Sequence, residues 1–422
     1  MDNQLEQAPE LQWLKSSSIH ATPEGIDVEG KEYLRTICSI RLLDYVLKND
    51  YLAFVAAQQM DYKLTEDSFD EIRVFVESTL RTKDDIDAMK AFLIINDLGK
   101  VGDFVDKIKE TMGFESVNHD VILYEGLKEH PEFSPTFSSL DKKYQELILE
   151  GLKTNFNMGQ FVQSECLPVD LSALFDIKKN ALDFYMVHVL FDIAGAKGQE
   201  NPNSSAICTE MYWKRFSFAL DVIHDMIRHK QSASYAYNAY LKMTMKYFAL
   251  ASPLGRSVDM CVARLYNMLL ITTADEAIEV EEGFWNLPYN IRNTLCEEFI
   301  KTGEHSADLG ILIYYLPALL RNALSYYKKV RPYKAISWMI SNIAPKIYDI
   351  YRVVRMLGEY GGNTGKVTVV IADVAKAALD SEKMLQESLS FIRVGDAFEV
   401  KIGEDPKACL ILRAKTNEKE EV

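Results

Sequence analysis

Residues 84–100 read DDIDAMKAFLIINDLGK. The apolar residues that recur in this segment at intervals of three and four are Ile86, Met89, Leu93 and Ile94. This spacing predicts an amphipathic α-helix, because residues three and four apart share one helix face. The acidic start suits the positive N-terminus of a helix, and Gly99 is a typical C-terminal stop. We therefore expect a helix over this segment that ends at the glycine.

The same spacing dominates the chain from about residue 31 to residue 356, with few alternating β-branched runs. A second clear helix is predicted from Lys179 to Ala194, and Gly195 ends it. The sequence that follows, QENPNSSA at residues 199–206, has the composition of a loop. The predicted fold class is therefore mostly α.

The C-terminal part of the chain has a different pattern. Residues 358–365, GEYGGNTG, are dense in glycine and predict a linker. A β-branched run at residues 367–371 predicts a strand, and residues 372–389 predict a helix. Two short apolar runs that flank residues 403–407 predict a β-hairpin. These elements together predict a small α+β unit.

These patterns divide the chain into segments. A break is expected at residues 252–255, SPLG, because proline and glycine interrupt a helical stretch there. The predicted segments are an N-terminal extension at 1–30, a helical domain at 31–250, an additional aromatic-rich helical region at 251–357 and the small α+β unit at 358–422.

Charge and composition narrow the classes of function. The chain of 422 residues has 47 Lys and Arg against 62 Asp and Glu, a formal charge of −15, and a negative field disfavours nucleic acid as a partner. The six cysteines form no C-x-x-C pair, and the N-terminus has no basic start with an apolar run, so we expect reduced thiols in the cytoplasm. The longest apolar stretch, Leu309 to Leu320, contains Pro317 and is too short for a membrane span.

One short segment of the sequence indicates a particular chemistry. Residues 94–100, IINDLGK, resemble the signature of HD-domain metal-dependent phosphohydrolases, in which an apolar helix ends in His-Asp followed by a Gly-Lys turn. Asn96 stands where that family has histidine. The resemblance covers about residues 60–200 and implies an HD-like helical core. It also implies a divalent metal (Mn, Fe, Mg or Zn) that activates water against a nucleotide or another phosphorylated small molecule.

The resemblance extends to individual residues. Asp97 matches the family's metal-binding aspartate, and Lys100 would face a substrate phosphate. His119 lies at a distance where the family often places a further histidine, and His188 with Asp192 would complete the site from one face of a later helix. The metal ligands implied are Asp97, His119, His188 and Asp192, and the catalytic residues implied are Asp97 and Lys100.

Two departures from the family pattern leave the activity open. Asn96 is a poor ligand for a transition metal, and no histidine occurs between His20 and His119, where the family's first histidine should lie. Three interpretations follow: an active metal hydrolase, an HD-like fold without catalysis, and a purely structural helix. In the structural interpretation, Asp97 caps or pairs locally and His119 is an exposed surface residue.

Other patterns offer alternatives. His224-Asp225 is a literal His-Asp pair with His188 upstream, but no glycine turn follows it, so two surface residues in mid-helix are expected. A basic and aromatic cluster at residues 321–334 suits either a phosphate or a solvated face. The competing class of function is a non-enzymatic helical protein that binds a protein partner.

Overall fold

The computed structural model describes most of the chain. The described residues are 7–16, 30–114, 116, 118–248, 256–301, 305, 309–330, 333–360, 366–370, 389–394, 397–402, 409–412 and 415–416. Helices dominate them, which confirms the predicted mostly α fold. The predicted linker at 358–365 is wrong for residues 358–360, which form the end of a helix. Its residues 361–365, most of the predicted helix at 372–389 and the predicted break at 252–255 lie outside the described residues.

The chain forms two compact units. Unit 1 comprises Met1–Phe156 and Ala173–Ser217, and unit 2 comprises Asn157–Ser172 and Phe218–Val422. The four sequence segments stay a prediction. Within the described residues, no helix is both long enough and apolar enough to cross a membrane.

The helices in chain order are α1 (Pro9–Ser16), α2 (Lys31–Leu47), α3 (Tyr51–Phe54), α4 (Glu66–Thr79), α5 (Lys83–Ile95), α6 (Gly102–Met112), α7 (His119–Glu129), α8 (Pro135–Ser138), α9 (Lys142–Lys153), α10 (Met158–Val162), α11 (Lys179–Ala194), α12 (Glu210–His229), α13 (Ala233–Tyr247), α14 (Arg256–Met268), α15 (Ala274–Trp285), α16 (Tyr289–Lys301), α17 (Leu316–Val330) and α18 (Ala335–Tyr360). Short 3₁₀ turns lie at Met60–Tyr62, Leu98–Lys100, Pro131–Phe133 and Pro168–Leu174. The strands are β1 (Gly310–Tyr314), β2 (Lys366–Val370), β3 (Leu389–Val394), β4 (Ala397–Ile402), β5 (Cys409–Leu412) and β6 (Lys415–Thr416).

Helix α5 begins at a capping box. Thr82 Oγ1 accepts a hydrogen bond from the Asp85 backbone N–H at 3.1 Å, and an Asp85 carboxylate oxygen accepts one from the Thr82 N–H at 2.8 Å. The helix ends before the predicted stop, because Asn96 is its C-cap and Gly99 lies in the following 3₁₀ turn. Helix α11 has its predicted bounds, and Gly195 is its C-cap.

Helix α11 forms the centre of unit 1, where it packs on α2, α4, α5 and α9. Two glycines after α11 allow α2 to approach closely. A Cβ atom at Gly195 would lie 2.1 Å from Ser39 Oγ, and one at Gly198 would lie 2.5 Å from the Leu34 carbonyl oxygen. The N-terminal half of α2 is therefore held against the C-terminal end of α11.

Unit 2 combines helices with two small sheets. Helix α14 packs on α13, α15 and α16, and α15 packs on α18. In one sheet β2 lies between β1, which is parallel to it, and β6, which is antiparallel, while β3, β4 and β5 form an antiparallel sheet. The predicted hairpin is confirmed as β4 and β5.

Strand β1 corrects the all-helical interpretation of residues 31–356. It forms from the apolar run that starts at Leu309, and its residues Gly310 to Ile313 are buried. Periodicity cannot distinguish a short, fully buried strand from a helix segment, because neither leaves a polar face in the sequence.

Candidate functional site

Five charged side chains from three elements meet in unit 1, and we call them the charge cluster. They are Glu32 and Arg35 of α2, Asp97 and Lys100 of the turn after α5, and Asp192 of α11. Lys100 Nζ lies 2.5 Å from Asp97 Oδ1 and 3.4 Å from Glu32 Oε2. Arg35 Nη1 lies 2.9 Å from Glu32 Oε2. The cluster thus combines two cations with three carboxyl groups.

Local geometry explains the contact between Asp97 and Lys100. Asp97 and Lys100 are three residues apart around a 3₁₀ turn, which places their side chains on the same side. Gly99 allows the turn to lie against the start of α7, since a Cβ atom there would be 2.0 Å from the His119 carbonyl oxygen. The contacts with α2 and α11, in contrast, come from tertiary packing.

Burial and the neighbouring charges shift the pKa values of Asp97 and Glu32, the two carboxyl groups nearest Lys100, in opposite directions. Burial acts to raise the pKa of Asp97, but Lys100 and Arg35 outweigh it and hold that pKa well below its usual range. Burial and the negative charge of Asp97 raise the pKa of Glu32 to about 7. A hydrogen bond joins the two carboxyl groups, so Glu32 holds the proton and Asp97 accepts it. Two carboxyl groups in contact whose pKa values are shifted in opposite directions are a common sign of a functional site.

Asp192 belongs to the same electrostatic environment. Burial and the charge of Asp97 raise its pKa, and the charges of Arg35 and Lys100 act against that rise. Asp120, near the start of α7, also contributes to the raised pKa of Asp192. Because the pKa of Glu32 is about 7, the cluster carries less negative charge near neutral pH than three ionised carboxylates would.

His188 lies beside this cluster in an apolar environment. Its side chain is 3% exposed, and its ring stacks on that of Phe92. Burial lowers the pKa of His188 to about 3, although the charge of Asp97 acts in the opposite direction. Neither ring nitrogen has a hydrogen-bond partner among the described residues. His188 is thus a neutral imidazole with two unused nitrogen atoms.

The predicted site residues fall into two groups. Asp97, Lys100 and Asp192 lie in one region, because the charges of Asp97 and Lys100 act on the pKa of Asp192, and the charge of Asp97 also acts on the pKa of His188. The His119 side chain is 40% exposed, and its Nε2 lies 3.2 Å from Oδ1 of its neighbour Asp120. Only the backbone of His119 approaches the cluster, because it lies against Gly99 of the turn that carries Asp97 and Lys100.

Sequence reasoning missed Glu32 and Arg35. Their spacing of three residues in the first turns of α2 indicates a local ion pair. No sequence signal showed that this pair would face Asp97, which lies in another element.

The donor atoms do not fit a divalent cation in this arrangement. Lys100 and Arg35 already supply the positive charge that neutralises Asp97, and Lys100 Nζ occupies the space next to its Oδ1 atom. Across the part of the chain that the structure describes, no group of three or more His, Cys, Asp or Glu side chains is placed to hold a metal ion. The four-ligand metal site implied by the HD-domain resemblance stays a prediction.

A protein-family model matches residues 22–356, a range that contains the whole charge cluster. The chain belongs to the DUF6829 family. This family is described as one of unknown function. No curated protein and no solved structure matches the chain.

The two alternative patterns of this DUF6829 chain have ordinary surface contacts. His224-Asp225 lies in mid-helix in α12, where Asp225 Oδ1 is 3.3 Å from His229 Nε2. In the basic cluster, Lys328 and Lys334 pair with Glu276 and Glu282 of α15 at 3.1 and 2.9 Å. These two lysines are therefore already neutralised by glutamates.

Proposed function

We propose that this DUF6829 protein is an HD-like protein without metal-dependent catalysis, which binds a phosphorylated small molecule or nucleotide at the charge cluster. The observation that carries the proposal is the pair of protein cations around Asp97. Lys100 and Arg35 neutralise the carboxylate that would otherwise bind a metal. Binding without hydrolysis is the function that this arrangement supports best.

Unused polar atoms around Asp97 support a ligand. Arg35 Nε is buried and has no hydrogen-bond partner among the described residues, and the same holds for both ring nitrogens of His188. Buried polar groups in proteins are nearly always paired, so unpaired ones suggest a water, ion or ligand. An Arg guanidinium with a free N–H suits a phosphate oxygen.

Access and charge also suit an anion. The side chains of Arg35 and Lys100 are each 18% exposed, so one edge of the cluster is in contact with solvent. The pKa of Glu32, raised to about 7, reduces the negative charge that would repel an anion near neutral pH. We place this function in the cytoplasm, where small phosphorylated metabolites are abundant and the thiols stay reduced.

The test measures ligand binding with metal removed. Thermal melts and calorimetry of the full chain in EDTA should show binding of AMP and inorganic phosphate. Arg35→Lys should weaken binding roughly tenfold, or about 1.4 kcal/mol, because lysine keeps the charge and loses the guanidinium N–H groups. Arg41→Lys is the matched control, since Arg41 lies on the same helix and contacts Pro202 and Asn203. It should leave binding unchanged.

The hydrolase alternative is tested with the same protein. Melts with Mn²⁺ and Mg²⁺ should show no stabilisation, and bis(p-nitrophenyl) phosphate should not be cleaved. Metal-dependent cleavage that Asp97→Ala abolishes would replace the binding proposal with a phosphohydrolase. Absence of both binding and cleavage would support the non-enzymatic interaction protein.

A variant that adds histidines beside Asp97 serves as a positive control for metal binding. Asn96→His recreates the literal His-Asp pair, and Arg35→His exchanges a cation for an imidazole facing Asp97. The double variant should gain stabilisation by Mn²⁺ that the wild-type protein lacks, because it removes a repelling charge and adds two nitrogen ligands. An unchanged response to Mn²⁺ would contradict the view that Arg35 stands in place of a metal.

A further inference from the structure

The connection between α15 and α16 in unit 2 exposes two aromatic side chains. Trp285 is the last residue of α15, and Tyr289 is the first residue of α16. The exposed fraction is 41% for Trp285 and 74% for Tyr289. A single exposed aromatic residue is ordinary on a protein surface, whereas neighbouring ones that form a continuous surface mark an interaction site. The contacts between these two residues are therefore informative.

Arg292 of α16 joins the two aromatic rings. Its Cζ atom lies 4.5 Å from the centroid of the Trp285 ring and 5.8 Å from that of the Tyr289 ring. A guanidinium group is attracted to the faces of aromatic rings at such distances. Arg292 Nη1 also donates a hydrogen bond to the Trp285 carbonyl oxygen at 3.0 Å. The three side chains thus form one surface, which we call the aromatic corner.

The backbone of the aromatic corner is held by its own hydrogen bonds. The Leu287 N–H donates to the Phe284 carbonyl oxygen at 3.2 Å, and the Arg292 N–H donates to the Pro288 carbonyl oxygen at 2.9 Å. The Leu287 side chain is buried and anchors the connection between the two helices. Because the rings are positioned before a partner arrives, binding costs less conformational entropy there than at a loose loop.

The charge of Arg292 has no carboxylate partner among the described residues. Other cations that lie against the same two helices have one: Lys334 pairs with Glu282 of α15 at 2.9 Å, and Arg355 pairs with Glu298 of α16 at 2.7 Å. In the described part of the chain, Arg292 donates a side-chain hydrogen bond through Nη1, so Nε and Nη2 remain for another molecule. A guanidinium with two such donors suits the two oxygens of a carboxylate.

We propose that the aromatic corner binds a short peptide segment of another protein, in which one Asp or Glu carboxylate is flanked by apolar residues. The carboxylate accepts hydrogen bonds from Arg292, and the apolar residues cover the rings of Trp285 and Tyr289. Tryptophan, tyrosine and arginine are the residues that most often dominate the binding energy of protein interfaces. This site is separate from the charge cluster and does not depend on the ligand proposed there.

The surrounding charges favour a single carboxylate over a polyanion. Glu282 and Glu297 lie on the same two helices as the aromatic corner, and the whole chain has a formal charge of −15. A nucleic-acid strand would bring many phosphates towards this negative field. A peptide with one carboxylate among apolar residues meets Arg292 without that repulsion.

The experiment selects the peptide directly. Random heptapeptides displayed on phage are selected on the immobilised full chain, after peptides that bind the Tyr289→Ala protein have been removed. We expect the enriched peptides to share an Asp or Glu next to proline, leucine or an aromatic residue. An enriched peptide is then labelled with fluorescein, and fluorescence anisotropy measures its affinity. Replacing its carboxylate by the amide should weaken binding roughly tenfold or more.

Matched variants place the binding at the aromatic corner. Tyr289→Ala and Arg292→Gln should each weaken binding of the selected peptide roughly tenfold or more. Tyr235→Ala is the control for an exposed tyrosine of the same unit, and Arg352→Gln is the control for an exposed arginine. Both controls should bind the peptide as the wild-type protein does. Thermal melts of all four variants verify that each one is folded.

Three results would overturn the proposal. The first is that selection enriches no peptide over the Tyr289→Ala protein, or enriches peptides without an acidic residue. The second is that an oligothymidylate competes with the selected peptide and binds more tightly, which would assign the aromatic corner to nucleic acid. The third is a dimer in size-exclusion chromatography that Tyr289→Ala dissociates, which would assign it to a second copy of this chain. The selection and the chromatography use the wild-type protein, so they decide even if Arg292→Gln fails to fold.

Discussion

The His188 ring lies flat on the Phe92 ring, with the two centroids 3.7 Å apart and 14° between the ring planes. Phe92 belongs to α5 and His188 to α11, so the stack is a direct contact between the two helices that present Asp97 and Asp192. It holds the imidazole in a dry environment in which the charged form is unfavourable. The histidine predicted as a metal ligand therefore has an aromatic packing partner.

The first prediction concerns opposite effects of pH on stability. The fold raises the pKa of Glu32 from 4.5 to about 7. The resulting contribution to the free energy of unfolding is complete below pH 4.5 and is lost as the pH rises to 7. The fold lowers the pKa of His188 from 6.5 to about 3. Its contribution to the free energy of unfolding is complete above pH 6.5 and is lost as the pH falls to 3. Between about pH 4.5 and 6.5 the two effects should largely cancel.

Single substitutions should separate these effects in urea unfolding. In His188→Phe, the free energy of unfolding should fall by up to about 1.4 kcal/mol per pH unit as the pH rises through that window. In Glu32→Gln it should rise by up to about the same amount, reduced by Asp192, whose raised pKa acts in the same direction as that of Glu32. Slopes of the same sign in both variants would contradict the assignment.

A second prediction tests the ion pair at Asp97. Lys100→Met should lower the free energy of unfolding by about 3 kcal/mol, because it leaves a buried carboxylate without its nearest cation while Arg35 remains. Adding Asp97→Asn to this variant should recover part of the loss. Lys178→Met, which removes an exposed lysine from its pair with the partly buried Glu150, is the control and should leave the melting temperature unchanged. Chemical denaturation of the three variants measures these differences.

Anion binding should depend on the proton held by Glu32. Sulfate, whose charge is constant near neutral pH, should bind more tightly as the pH falls through about 7, because protonated Glu32 no longer opposes the anion at Arg35 and Lys100. Calorimetry across this range measures the effect. Glu32→Gln should bind sulfate with little pH dependence, and an unchanged pH profile in that variant would exclude Glu32 as the group responsible.

A fourth prediction concerns the turn that carries Asp97. Gly99→Ala should destabilise unit 1 by about 1–3 kcal/mol or more, since the added methyl group meets a backbone carbonyl that cannot move aside cheaply. Gly113→Ala tests conformational strain alone, because that glycine has a φ of +64° and open space around it. Thermal melts should show the larger loss at Gly99. Equal losses would argue against close packing of the turn on α7.

The fifth prediction concerns the attachment of α1. The fully buried Glu10 carboxylate accepts hydrogen bonds from Ser134 Oγ and from the backbone N–H and Oγ1 of Thr136, at 2.5, 2.8 and 2.5 Å. Glu10→Ala should cost about 1–3 kcal/mol for each buried donor that loses its partner. Limited proteolysis should then cut near α1 sooner than in the wild-type protein. Glu10→Gln keeps one acceptor oxygen and should show a smaller effect.

The sequence by itself determined the local elements of this protein. Helix α11 has its predicted bounds because its apolar run and its terminal Gly195 are local signals. Asp97 and Lys100 meet for a local reason as well, because they are three residues apart in one turn. The structural interpretation of Asp97, in which it pairs locally, matches this contact. The end of α5 and strand β1 were misjudged, because a glycine can lie in a turn beyond the helix and a buried apolar run fits either element.

Only the tertiary structure decided which charges surround Asp97. Glu32 and Arg35 come from α2, and their place in the cluster depends on the close approach that Gly195 and Gly198 allow. Hydrophobic periodicity specifies which face of a helix is buried, but it does not specify the partner. Contacts between distant residues therefore arise from shape and packing that no local pattern encodes.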